Sequence, residues 1–203
     1  MNDPETKNEI AKQHPEELGT WKALSFFFFD FLKVFVIAVA IIIPVRWFLF
    51  QPFVVTGDSM RPTFQNGNYL IIDELTYRFR EPERGEVIVM RYPKDPSQFF
   101  IKRIVGLPGE RVLIEEGQVQ IFNDGNPEGI LLDESYLPAN NITSGNVDRK
   151  LGTEELFVLG DNRLSSSDSR VWGPLPRKDI IGRVYLRLLP LEKLDVFVPA
   201  PSY

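Results

Sequence analysis

Two side chains in this sequence have the types that nucleophilic chemistry requires. They are Ser59, in the run TGDSMRPT, and Lys102, in the run FFIKRIV. The chain contains no cysteine and a single histidine, His14, which lies in a polar N-terminal stretch. Because a folded domain beyond that stretch lacks a Ser-His or Cys-His pair, a serine activated by a lysine is the main nucleophilic option left.

A lysine acts as a base only when its amine is neutral. An ordinary lysine has a pKa of about 10.4 and is neutral in roughly one molecule in 2,500 at pH 7. Strand alternation places Phe100 and Ile104 on the same face as Lys102. Burial among apolar side chains disfavours the charged amine, and a pKa lowered by about 2 to 3 units costs roughly 3 to 4 kcal/mol. We therefore expect Lys102 to have a lowered pKa and to accept the proton of Ser59.

The composition of the 203-residue chain excludes several classes of protein. A hydrophobic content of 43% suits one domain with a buried core plus an additional segment. The net charge of −5, with basic residues scattered singly among acidic ones, argues against a nucleic-acid partner. The absence of cysteine excludes a disulfide scaffold and thiolate metal sites, and we expect no metal and no cofactor.

Beyond residue 50 the sequence has the pattern of an all-β domain. Short apolar or alternating runs are separated by Gly, Pro, Asn and Asp, and no long amphipathic helix is evident. A glycine-containing turn at residues 115–117 predicts a hairpin between residues 111–114 and 118–121. Further strands are predicted at residues 69–72, 86–90, 99–105 and 156–159. The stretch 123–152, rich in Asn, Asp and Gly, is predicted to be a long, partly mobile loop insertion.

An abrupt change in composition marks an apolar segment near the N-terminus. Residues 1–25 are polar and mixed in charge, whereas residues 26–50 are mostly apolar and include an uncharged run over residues 34–45. A helix over residues 32–50 is about 28 Å long, close to the thickness of a bilayer core. We predict a transmembrane anchor at residues 26–50, followed by a β-rich catalytic domain at residues 51–203.

Two alternatives to an anchor are a buried core helix and a cleaved signal peptide. The charges of Lys33 and Arg46 favour the first, but such a long uncharged apolar run is rare in a soluble domain. The second fits poorly because a long polar segment precedes the apolar run. Lysines ahead of the run favour a cytoplasmic N-terminus. We expect a single-pass protein of the plasma membrane, with the catalytic domain outside the cytoplasm and an organellar membrane as the alternative.

Three segments resemble the signature boxes of the type I signal peptidases, or leader peptidases. Residues 57–63, GDSMRPT, resemble the Ser-Met-x-Pro-Thr nucleophile box of that family. Residues 100–110, FIKRIVGLPGE, resemble its general-base box, and residues 160–170, GDNRLSSSDSR, resemble its third box. The boxes occur in the family's order behind one N-terminal apolar segment, and the likeness extends from Phe26 to Arg187. The resemblance implies a membrane helix followed by a mainly β, signal-peptidase-like domain.

The resemblance also implies roles for individual residues. Ser59 corresponds to the nucleophile, and Lys102 corresponds to the general base that later returns a proton to the leaving amine. The supporting residues are Ser166, which orients the lysine, and two ion pairs, Asp168 with Arg170 and Arg103 with Asp161.

The oxyanion hole is where this sequence departs from part of the family. A hydroxyl side chain two residues before the nucleophile supplies one donor there, and Gly57 occupies that position in this chain. The backbone N–H of Ser59 is available as one donor, while the second is a main-chain amide at Gly57, the Thr56 hydroxyl or water.

The resemblance implies a serine endopeptidase that removes signal peptides from exported preproteins at the bilayer surface, after small residues at positions −3 and −1. Its expected partners are exported preproteins and the lipid bilayer. Two alternatives belong to other classes: a catalytically silent, membrane-tethered β domain that binds a partner, and a Ser-Lys self-cleaving regulator. The first is disfavoured because Ser59 and Lys102 both occur in full motif context, and the second because no DNA-binding module is evident.

Overall fold

A computed structural model describes residues 15–48 and 50–196 of the chain. The structure divides between Trp47 and Phe48 into two compact units. The first contains all but the last residue of helix α1, Pro15–Phe48. The apolar side chains described for this helix, between Phe26 and Ile42, are largely exposed. Within the described residues, no helix meets the length and hydropathy of a membrane span. The anchor therefore stays a prediction, and residues 1–14 of the polar tail lie outside the described residues.

The second unit is mainly β, as the sequence predicts. Its strands are β1 Phe50–Val54, β2 Tyr69–Asp73, β3 Val87–Tyr92, β4 Asp95–Gly106, β5 Arg111–Glu115, β6 Gln118–Asn123, β7 Asn126–Leu131, β8 Val147–Lys150, β9 Glu155–Leu159, β10 Leu175–Pro176, β11 Ile180–Leu189 and β12 Asp195–Val196. In the described residues of this unit, helical structure consists of α2, Ser169–Trp172, and three 3-10 turns, Thr76–Arg78, Arg177–Asp179 and Leu191–Lys193.

The strands form two antiparallel sheets. The larger has the order β1-β2-β11-β3-β4-β9-β10, with β12 paired to β11, and the smaller has the order β7-β6-β5-β8. Three clusters of buried apolar side chains form the core. One of them joins the sheets, because Val105 and Phe157 of the larger sheet pack with Val112 and Ile121 of the smaller one. In the larger sheet, β4, which carries most of the second signature box, pairs directly with β9, which leads into the third box.

The stretch 123–152 differs from the predicted loop insertion. It contains β7 and β8, which form the two edges of the smaller sheet. The turn between β6 and β7 is Asp124-Gly125, a dipeptide that favours tight hairpins. Residues 132–146, between β7 and β8, contain no strand. The loop prediction is therefore wrong for the two ends of the stretch.

Candidate active site

Ser59 lies in the loop that connects β1 to β2. The loop is anchored in the core by Met60 and Phe64, which are fully buried against Leu70. Asn162, from the loop after β9, donates from its backbone N–H to the carbonyl of Ser59 at 2.9 Å. The serine is thus held between an apolar anchor on its own loop and a hydrogen bond from the third signature box.

Lys102 lies in the middle of β4, with its side chain 3% exposed. Its Nζ is 3.0 Å from Ser59 Oγ, and it also donates to the carbonyl of Ile101 at 2.9 Å. The Phe100 ring centroid is 5.1 Å from Nζ, and both Phe100 and Ile104 belong to one apolar cluster. The structure therefore brings Ser59 and Lys102, the two residues singled out from the sequence, within hydrogen-bond distance of each other.

Burial lowers the pKa of Lys102 to about 8, because removal from water disfavours the ammonium form. The negative charges of Asp168 and Asp161 act in the opposite direction and raise it. Each carboxylate is paired with an arginine, Arg170 or Arg103, so that its field at the lysine is reduced. At neutral pH, a useful fraction of Lys102 is consequently in the unprotonated form that accepts a proton.

The two ion pairs implied by the resemblance are present. Arg103 donates to Asp161 from Nε at 2.8 Å and from Nη2 at 2.6 Å. Arg170 donates to Asp168 from Nε and from Nη2, both at 2.8 Å. Both carboxylates are fully buried, so these bidentate pairs avoid the large cost of an uncompensated buried charge. Asp168 also accepts the N–H of Gly160 at 3.1 Å, which fixes the end of β9.

Two contacts expected from the sequence are not formed. Ser166 Oγ is buried without a hydrogen-bond partner among the described residues, so it does not orient Lys102, whose amine binds Ile101 and Ser59 instead. The N–H of Gly57 donates to Asn66 Oδ1 at 3.1 Å and is not free to serve as an oxyanion donor. Gly57 has a φ of 96°, a backbone conformation that favours glycine and sets this direction of its amide.

Four residues of the site were missed by sequence reasoning. Thr63 Oγ1 donates to Asp161 at 2.6 Å, and Arg163 is fully buried, where it donates to Tyr136 OH at 3.0 Å and pairs with Glu134. The signature boxes contain Thr63, Asn162 and Arg163, so their place in these motifs could have identified them from the sequence. Asn66 lies outside them, and its contact with Gly57 has no signal in the sequence.

A cavity of about 430 Å³ opens beside the two reactive side chains. Its polar lining includes Thr56, Ser59 and Lys102, and its apolar lining includes Phe53 and Phe99, whose rings pack edge to face with centroids 6.0 Å apart. The cavity thus has space for a chain segment between the apolar rings of Phe53 and Phe99 and the hydroxyl of Ser59. In the described part of the chain, no group of three or more His, Cys, Asp or Glu side chains is placed to hold a metal ion.

Comparison with known proteins assigns the family. Residues 28–189 match the family described as "Signal peptidase, peptidase S26". The chain is 36% identical over 191 residues to "Probable signal peptidase I-2" of Synechocystis, and the alignment covers 91% of this chain and 80% of that protein. It is 35% identical to "Signal peptidase I" of Leptolyngbya laminosa, over 85% of each chain. A crystal structure of a signal peptidase I from Enterococcus faecalis has a TM-score of 0.44 and 26% identity, covering 52% of this chain and 97% of that one.

The chain therefore belongs to the signal peptidase family S26. Within it, the relatives are type I enzymes, and the chain is a type I signal peptidase, a serine peptidase.

Proposed function

We propose that this protein is a membrane-anchored endopeptidase that cleaves signal peptides from exported preproteins through a Ser59 acyl-enzyme, with Lys102 as the general base. The observation that carries the proposal is the 3.0 Å contact between Lys102 Nζ and Ser59 Oγ, made by a lysine that is 3% exposed. A surface lysine beside a serine would stay protonated at neutral pH and would not accept its proton.

Acylation follows from this geometry. Lys102 takes the hydroxyl proton as Ser59 Oγ attacks the scissile carbonyl, and a tetrahedral oxyanion forms. The ammonium then returns the proton to the leaving amine as the carbon–nitrogen bond breaks. The mature protein is released, while the signal peptide is held as an ester on Ser59.

Deacylation repeats the same steps with water. Lys102 accepts a proton from the water molecule as it attacks the ester carbonyl, and then returns it to Ser59 Oγ as the ester bond breaks. The lysine thus ends the cycle neutral, and the reaction consumes one water molecule per peptide bond.

The paired carboxylates and arginines have a supporting function in this scheme. They bind the backbone, each other and the Thr63 hydroxyl rather than Ser59. We therefore assign Arg103, Asp161, Asp168 and Arg170 to holding the lysine and the third box in place. The two arginines also limit the negative field of the carboxylates, which would otherwise favour the ammonium form of Lys102.

The apolar segment at residues 26–50 is proposed to anchor the enzyme in the plasma membrane, with the N-terminus in the cytoplasm and the catalytic domain outside. The exposure of Phe26, Phe29 and Phe35 on α1 supports this, since large apolar side chains exposed together call for an apolar surrounding. Signal peptides lie in the same bilayer, so an anchored protease meets its substrate at the membrane surface. We propose cleavage after small residues at positions −3 and −1.

The test is cleavage of a preprotein whose signal ends in Ala-x-Ala, with full-length protein in detergent. We expect Ser59→Ala and Lys102→Ala each to lower the rate at least about 1,000-fold, with product mass identifying the cleaved bond in the wild type. The matched controls are Ser135→Ala and Lys150→Ala, exposed residues away from the cavity, which should cleave normally. Near-normal cleavage by either dyad variant would remove that residue from the mechanism.

A further inference from the structure

The peptide bond between Asp58 and Ser59 is fixed from its carbonyl side. The carbonyl oxygen of Asp58 accepts a hydrogen bond from Asn162 Nδ2 at 3.1 Å and another from the N–H of Arg61 at 3.1 Å. The backbone N–H of Asn162 holds the next carbonyl, that of Ser59, at 2.9 Å. One residue of the third box therefore binds both carbonyl groups that flank the α-carbon of the nucleophile.

This anchoring also sets the direction of an N–H group. In a planar trans peptide the C=O and N–H bonds point in opposite directions. With the Asp58 carbonyl held towards Asn162, the N–H of Ser59 points away from Asn162. In the part of the chain that the structure describes, this N–H has no hydrogen-bond partner, and Ser59 lines the cavity. A free donor in a fixed direction is what an oxyanion hole requires.

The backbone amide of Gly57 differs from that of Ser59. The N–H of Gly57 is bound to Asn66 Oδ1, so the amide two residues before the nucleophile is already satisfied. Stabilisation of the oxyanion by the main chain consequently depends on the N–H of Ser59, and on whatever keeps the Asp58–Ser59 peptide from rotating.

We propose that Asn162 is a positioning residue for oxyanion stabilisation. Its side-chain amide holds the Asp58–Ser59 peptide so that the N–H of Ser59 donates to the oxyanion formed on the scissile carbonyl. The inference rests on the acyl-enzyme mechanism proposed above. Without the Asn162 side-chain amide, the Asp58–Ser59 peptide can rotate and the N–H of Ser59 loses its alignment. The transition state then loses more stabilisation than the bound substrate does.

The alternative is that Asn162 only ties the third box to the nucleophile loop. A tie of that kind would support binding and catalysis alike, whereas a positioning residue affects the oxyanion alone. A pair of ligands separates the two roles. Ser59 Oγ adds to the carbonyl carbon of a peptide aldehyde that ends in Ala-x-Ala, and the serine proton passes to Lys102 or to the aldehyde oxygen. The carbon becomes tetrahedral, so that the oxygen occupies the position of the oxyanion in the intermediate. The matched peptide alcohol makes the same side-chain contacts without forming a bond.

The experiment measures the affinity of both ligands, together with kcat and KM, for full-length wild type, Asn162→Ala and Asn162→Ser. We expect both variants to lose aldehyde affinity and kcat by at least about tenfold, while alcohol affinity and KM change less than twofold. The apparent pKa of the rate should stay near that of the wild type, because the surroundings of Lys102 are unchanged. The control is Asn146→Ala, an exposed asparagine outside the cavity lining, which should match the wild type throughout.

Retention of aldehyde affinity in Asn162→Ala, or an equal loss of aldehyde and alcohol affinity in both variants, would overturn the inference. A variant that does not fold loses affinity for the aldehyde and the alcohol alike, so it counts as the second of these outcomes. Failure of the mechanism itself is distinguishable, because the wild type would then cleave preprotein without being inhibited by the aldehyde.

Discussion

The burial of Lys102 costs stability. Its amine is buried with one backbone carbonyl and one serine hydroxyl as partners, and burial lowers its pKa from 10.5 to about 8. Charged lysine in that position is disfavoured by removal from water, and the fold must offset the penalty elsewhere. The neutral amine that the proposed mechanism requires is therefore linked to a measurable destabilisation below pH 8.

The first prediction concerns this penalty. Since the folded pKa is about 8 and the unfolded value is 10.5, the unfolded chain binds more protons between those pH values, and folding becomes more favourable as pH rises through that window. Met at the same position does not titrate. Urea unfolding of wild type and Lys102→Met should therefore show the wild type gaining about 3 kcal/mol relative to the variant from pH 8 to pH 10.5. A constant difference over that range would mean that the lysine pKa is not lowered.

At the residue scale, the sequence predicts the reactive pair and the apolar face of Lys102, because strand alternation is a local property. It does not predict the contacts of the nucleophile loop. The bond from Asn162 to Asp58 joins residues 104 positions apart, and the bond from Gly57 to Asn66 depends on how one loop folds back on itself. Ser166 shows the converse: its position in the motif implies a contact that the structure does not form.

Gly160 shows how two elements meet closely at the site. It directly follows β9, and a Cβ placed on it would lie 2.5 Å from the carbonyl oxygen of Ser59 and would also overlap Ser166 Oγ. Only a residue without a side chain allows the third box to approach the nucleophile loop this closely.

The second prediction follows from this approach. Gly160→Ala should displace Ser59, lowering the cleavage rate at least about 100-fold and the free energy of unfolding by about 1 to 3 kcal/mol. The matched control is Gly152→Ala, whose nearest contact is the flexible end of Glu155 at 3.3 Å, and which should stay within about 0.5 kcal/mol of the wild type. Measurement is by thermal unfolding and by preprotein cleavage, and wild-type kinetics in Gly160→Ala would contradict the close approach.

The sequence predicts β2, β3, β4 and β9 of the larger sheet, because their apolar residues form short runs. It does not predict β1, β10, β11 and β12 of that sheet, nor β7 and β8 of the smaller one. β7 contains Pro127 and Gly129, which argue against a strand but are tolerated at the edge of a sheet, and β8 is Val-Asp-Arg-Lys with mostly exposed side chains. β8 is a strand because it pairs with β5, a tertiary contact that polar composition hides.

The whole molecule combines a helix with exposed apolar side chains and a β-domain that carries the reactive pair. Full-length protein in bacterial membranes should stay in the pellet after carbonate extraction at high pH, because burial of residues 26–50 in hydrocarbon does not depend on charge. Protease added to spheroplasts should digest residues 51–203. Release by carbonate would contradict the anchor, and a protected catalytic domain in intact spheroplasts would reverse the proposed orientation.

The base role of Lys102 is tested most directly by the pH dependence of single-turnover cleavage in the intact enzyme. Only the neutral amine accepts the Ser59 proton, so the rate should rise about tenfold per pH unit below the pKa and level off above about pH 8. Lys102→Arg, which stays charged across this range, should be inactive at every pH. A rate that is flat from pH 6 to pH 10, or substantial cleavage by Lys102→Arg, would contradict the central role of the Ser59–Lys102 pair.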